Sequence, residues 1–596
     1  MSFKTKLILL LEQNTSIPQE DIANLLTTPP NPKLGDFAFP CFKLVDKQDP
    51  KNNNPKLASE NLKKLLESKK LPNFIKETKV VGPYLNFFLS QSTLAKSTLT
   101  NIQKQKETYG HNTPDKKNHI LIEFFHANTH KAVHIGHFRN ICTGTSIAKL
   151  LEAQGHKVTR INYQGDVGPH VAKAMYAYMN LADTKKAELS CASEQSSLCK
   201  SEEPKTNKGI WIGKLYAQGS KAGKEDPKIA QKIKELNTTI YSHKNKEVEA
   251  VWQKTRQWCL DDLEEFYKEF GVKFDKLYFE SETIEPAKKI FQELIEKKIA
   301  EHSEGAIIVN LEAEKLAIYV AITSQGNPTY NGKEVGLATI HQKDFKFDQI
   351  IHVTGSEQEL FFKQAFKTYE KMNWDLAKKS THVSYGLVTL PHGKMSSREG
   401  TVILYRELFD TGFEKAKEEI KKRHPDLNLG QTNKRARQIC FAALKYTMLH
   451  TNNKQTIVFD WNTALDMEGN SGPYLQYAHA RCNSILKKAK LSELSPADPK
   501  STDFDLFTTD QEKQLILQLS KLQDTATESA TKYKPYLLAI YTYELAKLFA
   551  SFYAACQVID ENNKELTAAR LLLTQSTKQV LKNALNLLGI EAPEQM

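Results

Sequence analysis

Ile120-Leu121-Ile122-Glu123-Phe124-Phe125, the loop His126-Ala-Asn128-Thr-His-Lys131-Ala-Val-His134-Ile-Gly136-His137 and, further on, Lys157-Val158-Thr159-Arg160-Ile161-Asn162-Tyr163 decide how this chain is read. The first stretch is an apolar run of buried-strand length. From about His137 to Gln154 the apolar residues recur at helical spacing, and Gly155 is placed to end that helix. The third stretch is strand-like again. Strand, helix and strand at this spacing form a βαβ unit, which predicts a parallel sheet with a right-handed crossover. In such sheets ligands sit at the carboxyl ends of the strands. The loop 126–137 falls there, at the amino end of the helix, where free N–H groups and the helix dipole attract anions.

Working outward, residues 1 to about 112 form an α+β unit. A helical opening leads to Gly35-Asp36, and Tyr84-Leu-Asn86-Phe87-Phe88-Leu89 reads as a strand after a turn. Beyond the βαβ unit, residues 184 to about 208 are polar and read as a surface insertion. Helical periodicity covers about 228 to 270. Strand-like runs at 305–309, 317–320, 349–353 and 382–388 predict that the same sheet resumes after a helical insertion. From about 430 onward the pattern is helical. The expected layout is therefore a multidomain α/β chain: an α+β domain over 1–112, a Rossmann-like parallel-sheet domain over 113–390 with a helical insertion at about 180–270, a connector over 391–430, and an all-α domain over 431–596.

Bulk properties narrow the classes. Lys and Arg total 82 against 70 Asp and Glu, a net charge of +12 that permits a polyanionic partner without requiring one. The eight Cys stand at 41, 142, 191, 199, 259, 440, 482 and 556, with no C-x-x-C pair, so no zinc ribbon, redox dithiol or disulfide framework is expected. No stretch reaches the length of a membrane span. A cytoplasmic protein without membrane attachment is the expectation.

Two sites offer phosphate chemistry. His134 and His137 can donate to phosphate oxygens as charge builds in a phosphoryl transfer, and Gly136 allows close backbone approach. A second basic loop, Gly393-Lys394-Met395-Ser396-Ser397-Arg398-Glu399-Gly400, follows the last strand by a short turn. Lys394 supplies a point charge and Arg398 a bidentate fork. Taken singly, the first would read as two capping histidines and the second as a solvated turn. Neither G-x-x-x-x-G-K-S/T nor a strand-linked G-x-G-x-x-G is present.

In this order, a His-Ile-Gly-His (HIGH) tetrapeptide after the first strand and a Lys-Met-Ser (KMSKS-type) loop after the last resemble class I aminoacyl-tRNA synthetases. Asn128-Thr-His-Lys131-x-x-His134, Gly165-Asp166-Val-Gly168, Pro328-Thr-Tyr330, Phe459-Asp-Trp461, Glu468-Gly-Asn-Ser-Gly-Pro-Tyr474-Leu-Gln-Tyr477-Ala-His-Ala-Arg481 and the terminal Ala592-Pro-Glu-Gln-Met596 narrow the resemblance to the arginyl-tRNA synthetase family, from Gly35 to the last residue.

The resemblance implies the following assignments. His134, Gly136, His137, Lys394, Met395, Ser396 and Arg398 would bind ATP, supplied with Mg²⁺, and His134, His137, Lys394 and Lys131 would act in catalysis. The second Lys of the KMSKS pattern is absent here, since Ser397-Arg398 stands there, and Lys131 would take over part of the phosphate charge. Glu123, Asn128, Tyr330, Glu334 and Gln358 would bind arginine. The family usually has Asp where this chain has Glu334, and Arg where it has Lys333. Tyr474, Tyr477, Arg481, Phe552 or Tyr553, and Met596 would contact tRNA, although Tyr474 and Tyr477 fit a helical core equally well. The N-terminal unit would bind the tRNA elbow and the helical domain the anticodon. L-arginine, ATP and tRNA(Arg) are the implied partners, with tRNA needed for activation. A monomer without protein-bound zinc is expected. Another class I synthetase, a small HIGH-type nucleotidyltransferase and an inactive synthetase-like tRNA-binding protein are the alternatives.

Overall fold

The structure, a computed structural model, describes residues 2–45, 54–180, 207–391 and 404–596. It divides into two compact units. One comprises Met1–Thr113, Phe441–Tyr446 and Thr463–Met596, the other Pro114–Cys440 and Thr447–Asn462.

In the first unit, strands Phe37–Pro40, Tyr84–Leu89 and Ile75–Val81 form an antiparallel sheet with Tyr84–Leu89 in the middle. Asp36 anchors its edge by accepting the Leu89 N–H at 2.7 Å and pairing with Lys513 at 3.3 Å. Five long helices follow in the carboxyl-terminal part: Gly472–Leu491, Asp510–Ser520, Leu522–Thr531, Pro535–Ala555 and Lys564–Leu587. Their starts are legible in sequence. Ser471 caps the first by accepting the Tyr474 N–H, with Pro473 in the first turn. Thr509 and Glu512 form a reciprocal capping box on the second.

The second unit is built on a five-stranded, wholly parallel sheet in the order Ser380–Tyr385, Gln349–Gly355, His119–Glu123, Lys157–Gln164, Lys276–Phe279. Leu121, Ile161 and Ile350 are buried in its core, each contributing about 1.5–3 kcal/mol in transfer terms. The chain begins at the central strand, runs to one edge and returns to the other, so the reversal falls between His119–Glu123 and Gln349–Gly355. That is the position where open α/β sheets bind ligands. Helix Ile135–Ala153 follows the first strand, and Gly155, at φ +84°, ends it as expected. Helices Lys208–Glu225, Pro227–Ser242 and Lys246–Phe270 form the insertion.

One expectation is corrected. The strands near 305–309 and 317–320 do not rejoin the parallel sheet. Ala306–Asn310 and Ile318–Ile322 form a separate antiparallel sheet with Glu301–Ser303. Along Ile318–Ile322 burial alternates before the last residue, as in a one-sided sheet, whereas His119–Glu123 is buried almost throughout. The polar segment read as a surface insertion lies almost wholly outside the described residues, as does the loop carrying Lys394, Met395, Ser396 and Arg398.

Candidate active site

A cleft of about 750 Å³ opens at the carboxyl ends of three neighbouring strands. It gathers Asn128, Lys131, His134, Gly136, His137, Tyr330 and Gln358. His126, Asn140, Glu357 and the Tyr385–Thr389 segment, none of them singled out from sequence, also line it.

The loop that carries these groups is strained. Phe125, His126 and His130 hold φ at +86°, +53° and +59°, a region costing a non-glycine residue about 1–3 kcal/mol. Buried amides hold it there. The Asn140 oxygen accepts the Phe125 N–H at 2.6 Å, and the Asn162 oxygen accepts the His126 N–H at 3.1 Å. The Asn140 amide also donates to the Val353 carbonyl at 2.8 Å and to the Tyr385 hydroxyl at 3.0 Å, so one side chain joins three strand ends. Arg139, 1% exposed, donates to the carbonyls of Gly386, Leu387, Asn453 and Gln455 at 2.7–3.0 Å. These neutral acceptors pin the cleft wall opposite the histidines. A polar pair inside the apolar face of a helix was the sequence signal for both residues.

His134 and His137 start the helix as a reciprocal cap. His134 Nδ1 accepts the N–H groups of Gly136 at 3.1 Å and His137 at 3.4 Å, and His137 Nδ1 accepts the His134 N–H at 3.2 Å. The rings stack at 3.7 Å. A Cβ on residue 136 would lie 3.0 Å from the His134 ring, so glycine makes room for the cap itself. Burial, then the Lys131 charge, pushes His134 down to about 4. Burial, His134 and Lys131 push His137 well below the usual imidazole range. Both rings are therefore neutral, and because each Nδ1 accepts, each proton is assigned to Nε2. The result is two uncharged N–H donors at a helix N-terminus.

Lys131 is the one Lys or Arg among the described residues lining this cleft. Its amine lies 5.4 Å from the Tyr216 ring, and burial, then Lys173, lowers its pKa against the pull of Glu280. The Asn128 oxygen accepts the Gly165 N–H at 3.1 Å. Tyr330 stands exposed at the head of helix Tyr330–Asp344, its ring 4.7 Å from Phe361. Glu123 and Glu334, 1% and 2% exposed, do not line the cleft; they lie buried, Glu123 touching the His126 ring of its lining. Asp166 of the Gly165–Gly168 motif is wholly buried, bonded to Arg256 and Ser281, and serves the packing.

A model described as "tRNA synthetases class I (R), catalytic domain" matches residues 98–461. "Arginyl tRNA synthetase N terminal domain" matches 3–89 and "DALR anticodon binding domain" 475–596. The arginine–tRNA ligase of Treponema denticola is 34% identical over 574 residues, covering 96% of this chain and 94% of that protein. That of Borrelia garinii subsp. bavariensis is 33% identical over 596 residues, covering 98% and 96%. The chain belongs to the class I arginyl-tRNA synthetase family. The solved arginyl-tRNA synthetase of Thermus thermophilus shares the fold, with a TM-score of 0.77 at 23% identity over 100% of this chain and 99% of that one. The Plasmodium falciparum structure also scores 0.77, at 22% identity over the full length of both.

The family's helical region carries the remaining sequence-singled residues, all in the first unit. The Arg481 guanidinium lies 4.7 Å from the Tyr477 ring and 5.2 Å from the Tyr553 ring, and donates to the Tyr477 hydroxyl at 2.6 Å. Tyr477 and Tyr553 are 36% and 44% exposed, forming an aromatic surface with a cation between the rings. Tyr474 is half-buried against Tyr543, and Phe552 is fully buried, so Tyr553 is the exposed member of that pair. Sequence reasoning missed how the tail is held. Gln476, His479 and Asn483 on the same helix bind the carbonyls of Glu591, Pro593 and Glu594 at 2.8–2.9 Å, two residues short of Met596. Their spacing of three and four was the available signal. Among the described residues no helix is long and apolar enough to cross a membrane.

Proposed function

We propose that the chain is an arginine–tRNA ligase that activates L-arginine with Mg²⁺–ATP and transfers the arginyl group to the 3′-terminal adenosine of tRNA(Arg). The observation that carries this reading is the pair of neutral Nε2–H donors at a helix N-terminus, with Lys131 beside them, at the sheet's switch point.

A carboxylate oxygen of arginine attacks the α-phosphorus of ATP. The bond to the bridging oxygen breaks, and pyrophosphate leaves with Mg²⁺. Charge gathers on the phosphate oxygens, and His134, His137 and Lys131 are placed to stabilise it without giving up a proton. Lys394, Met395, Ser396 and Arg398 are assigned to the same phosphates through the family motif. Asn128, Tyr330 and Gln358 position the amino acid from the cleft wall. Glu123 supplies the negative charge beneath, with the Glu334 carboxyl beside it as the second assigned arginine contact. In the second step the 2′-hydroxyl of the terminal adenosine attacks the arginyl carbonyl carbon, and AMP departs.

Tyr477, Arg481 and Tyr553, with Tyr474 and Met596 alongside, are assigned to the anticodon loop, where bases stack on aromatic faces. Residues 1–112 are assigned to the tRNA elbow, 113–390 to catalysis, 391–430 to the motif loop and connector, and 431–596 to anticodon recognition. The chain is assigned a monomeric, cytoplasmic existence without resident zinc. ATP–pyrophosphate exchange with each amino acid, with and without tRNA, tests the reading. Arginine-specific, tRNA-dependent exchange is expected. Exchange with a different amino acid, or none, overturns it.

A further inference from the structure

Beneath the cleft, Glu123 is bracketed by three histidines from three separate segments. Its Oε1 lies 3.5 Å from His352 Nδ1 and 3.7 Å from His126 Nδ1, and its Oε2 lies 3.8 Å from His341 Nε2. Strand register sets the first contact, since Glu123 and His352 stand opposite each other on neighbouring parallel strands. These separations exceed good hydrogen bonds. Five polar atoms at this centre are buried without a hydrogen-bond partner: Glu123 Oε2, both ring nitrogens of His126, His341 Nε2 and His352 Nδ1. Orphaned polar atoms are costly singly, and these five crowd one point, with Glu123 and the three histidines facing each other too far apart for good hydrogen bonds. Only His126 also lines the cleft, so it connects the centre to the substrate side.

The charges say what guest fits. His352 faces Glu123 from its neighbouring strand, Glu334 and His341 from helix Tyr330–Asp344, His382 from strand Ser380–Tyr385, His126 from the loop, and the rings of Phe362 and Phe366. Tyr369 closes the far side by donating to Glu334 at 3.3 Å. Burial opposes charge on all of these. It brings His341 down to about 4 and lowers His126, leaving both neutral, and it lifts Glu334 to about 7, opposed by His352 and reinforced by Glu123. His352 alone is raised, because the attraction of Glu123 outweighs its burial. Glu123 in turn stays ionised against its burial, above all through His352. The centre thus holds the Glu123 anion, a removable proton on His352 and, with Glu334 at about 7, a second proton partly held there. Among the described residues no set has the arrangement of a metal site. A cationic organic group is the guest that can replace the His352 proton.

We propose that this centre is a proton-exchange seat for the substrate: when a cationic group of arginine takes its place beside Glu123, His352 gives its proton to solvent. His352 is then a positioning residue. It keeps Glu123 aligned while the site is empty and withdraws its charge when the substrate arrives. The proposal rests on the assignment of Glu123 to the arginine site.

Calorimetric titration of L-arginine into the full-length protein with tRNA and without ATP, in two buffers of different ionisation enthalpy, reads the proton of binding directly. Release of up to one proton is expected. Arginine affinity should rise with pH by up to about tenfold per unit while His352, raised by Glu123 above the ordinary imidazole value, still carries its proton, and should level off once that proton is lost. His352→Gln should bind arginine with less proton release and a shallower pH dependence than the parent, what remains coming from Glu334. Wild-type binding without proton exchange overturns the proposal and leaves the arginine assignment standing. Proton release that is undiminished in His352→Gln overturns the choice of His352. Failure of the wild-type protein to bind arginine overturns both. The wild-type measurement decides without any variant.

Discussion

Two sets of histidines from distant parts of the sequence meet at the carboxyl edge of the same sheet and differ in charge. His134 and His137 are half-buried and neutral, whereas His352 is fully buried and yet holds its proton more tightly than a free imidazole. Burial alone does not separate them. At the helix start each Nδ1 is occupied by backbone N–H donors and the nearest charge is Lys131, so nothing rewards protonation. At the sheet's centre the partner is a carboxylate, and its attraction overcomes the same desolvation. The difference suits the two tasks. A triphosphate site needs donors that stay in one protonation state while charge moves on the substrate. A cation site needs an anion that is compensated when empty and free when filled.

The largest effect that can break this comparison is loss of the donor pair. His137→Ala removes one Nε2–H and leaves the His134 N–H without its acceptor, so arginine-dependent pyrophosphate exchange should fall about 10²–10³-fold at saturating substrates. Arginine binding itself should change little. Near-normal exchange would remove the pair from the chemistry. Lys131→Ala comes next, slowing activation about 10- to 100-fold, as expected for a single charge on the phosphates. It also sharpens the comparison, because Lys131 helps hold His134 down. In the variant the acid limb of the exchange rate should move to higher pH, and an unmoved limb would detach Lys131 from His134.

Asn140→Leu probes the turn from which both groups hang. It strips the Phe125 N–H of its acceptor and removes two donated bonds, one of them to the Val353 carbonyl. A buried polar group left unsatisfied costs about 1–3 kcal/mol, so the denaturation midpoint should drop by the equivalent amount. A variant as stable as the parent would show that the left-handed turn at Phe125–His126 does not depend on this side chain.

The fold was legible where periodicity is strong. The βαβ unit, the Gly155 stop and the helical carboxyl-terminal region follow from spacing and punctuation alone. The strands at 306–310 and 318–322 were legible as strands but not as members of a second sheet, because strand pairing is set by contacts distant in sequence. The cleft residues cluster in one loop and two strand ends, so the motifs located most of them. Arg139, Asn140 and the histidines around Glu123 were not found that way, since their roles depend on carbonyls and carboxylates brought in from other strands. Glu123 and His352 each interrupt an apolar strand run. That is a readable oddity in each strand, but only the parallel register makes them partners.

The smallest expected effect is an absence of change, and it tests the comparison from the neutral side. With His134 held at about 4 and His137 well below the ordinary imidazole range, both rings stay Nε2–H donors throughout roughly pH 6 to 8. The rate of pyrophosphate exchange at saturating arginine should therefore be flat across that window, while arginine affinity rises through it. Below it, protonation places a hydrogen on Nδ1 facing the Gly136 and His137 N–H groups at 3.1–3.4 Å, and the cap is lost. A histidine whose folded pKa lies beneath its unfolded value stabilises the fold above about pH 6.5, and that contribution disappears as pH falls through about 4. Thermal stability should accordingly decline on acidification over the interval in which the exchange rate falls. A rate that already declines between roughly pH 8 and 6 at saturating arginine would mean that one of the two rings titrates in the working range, and the contrast with His352 would fail.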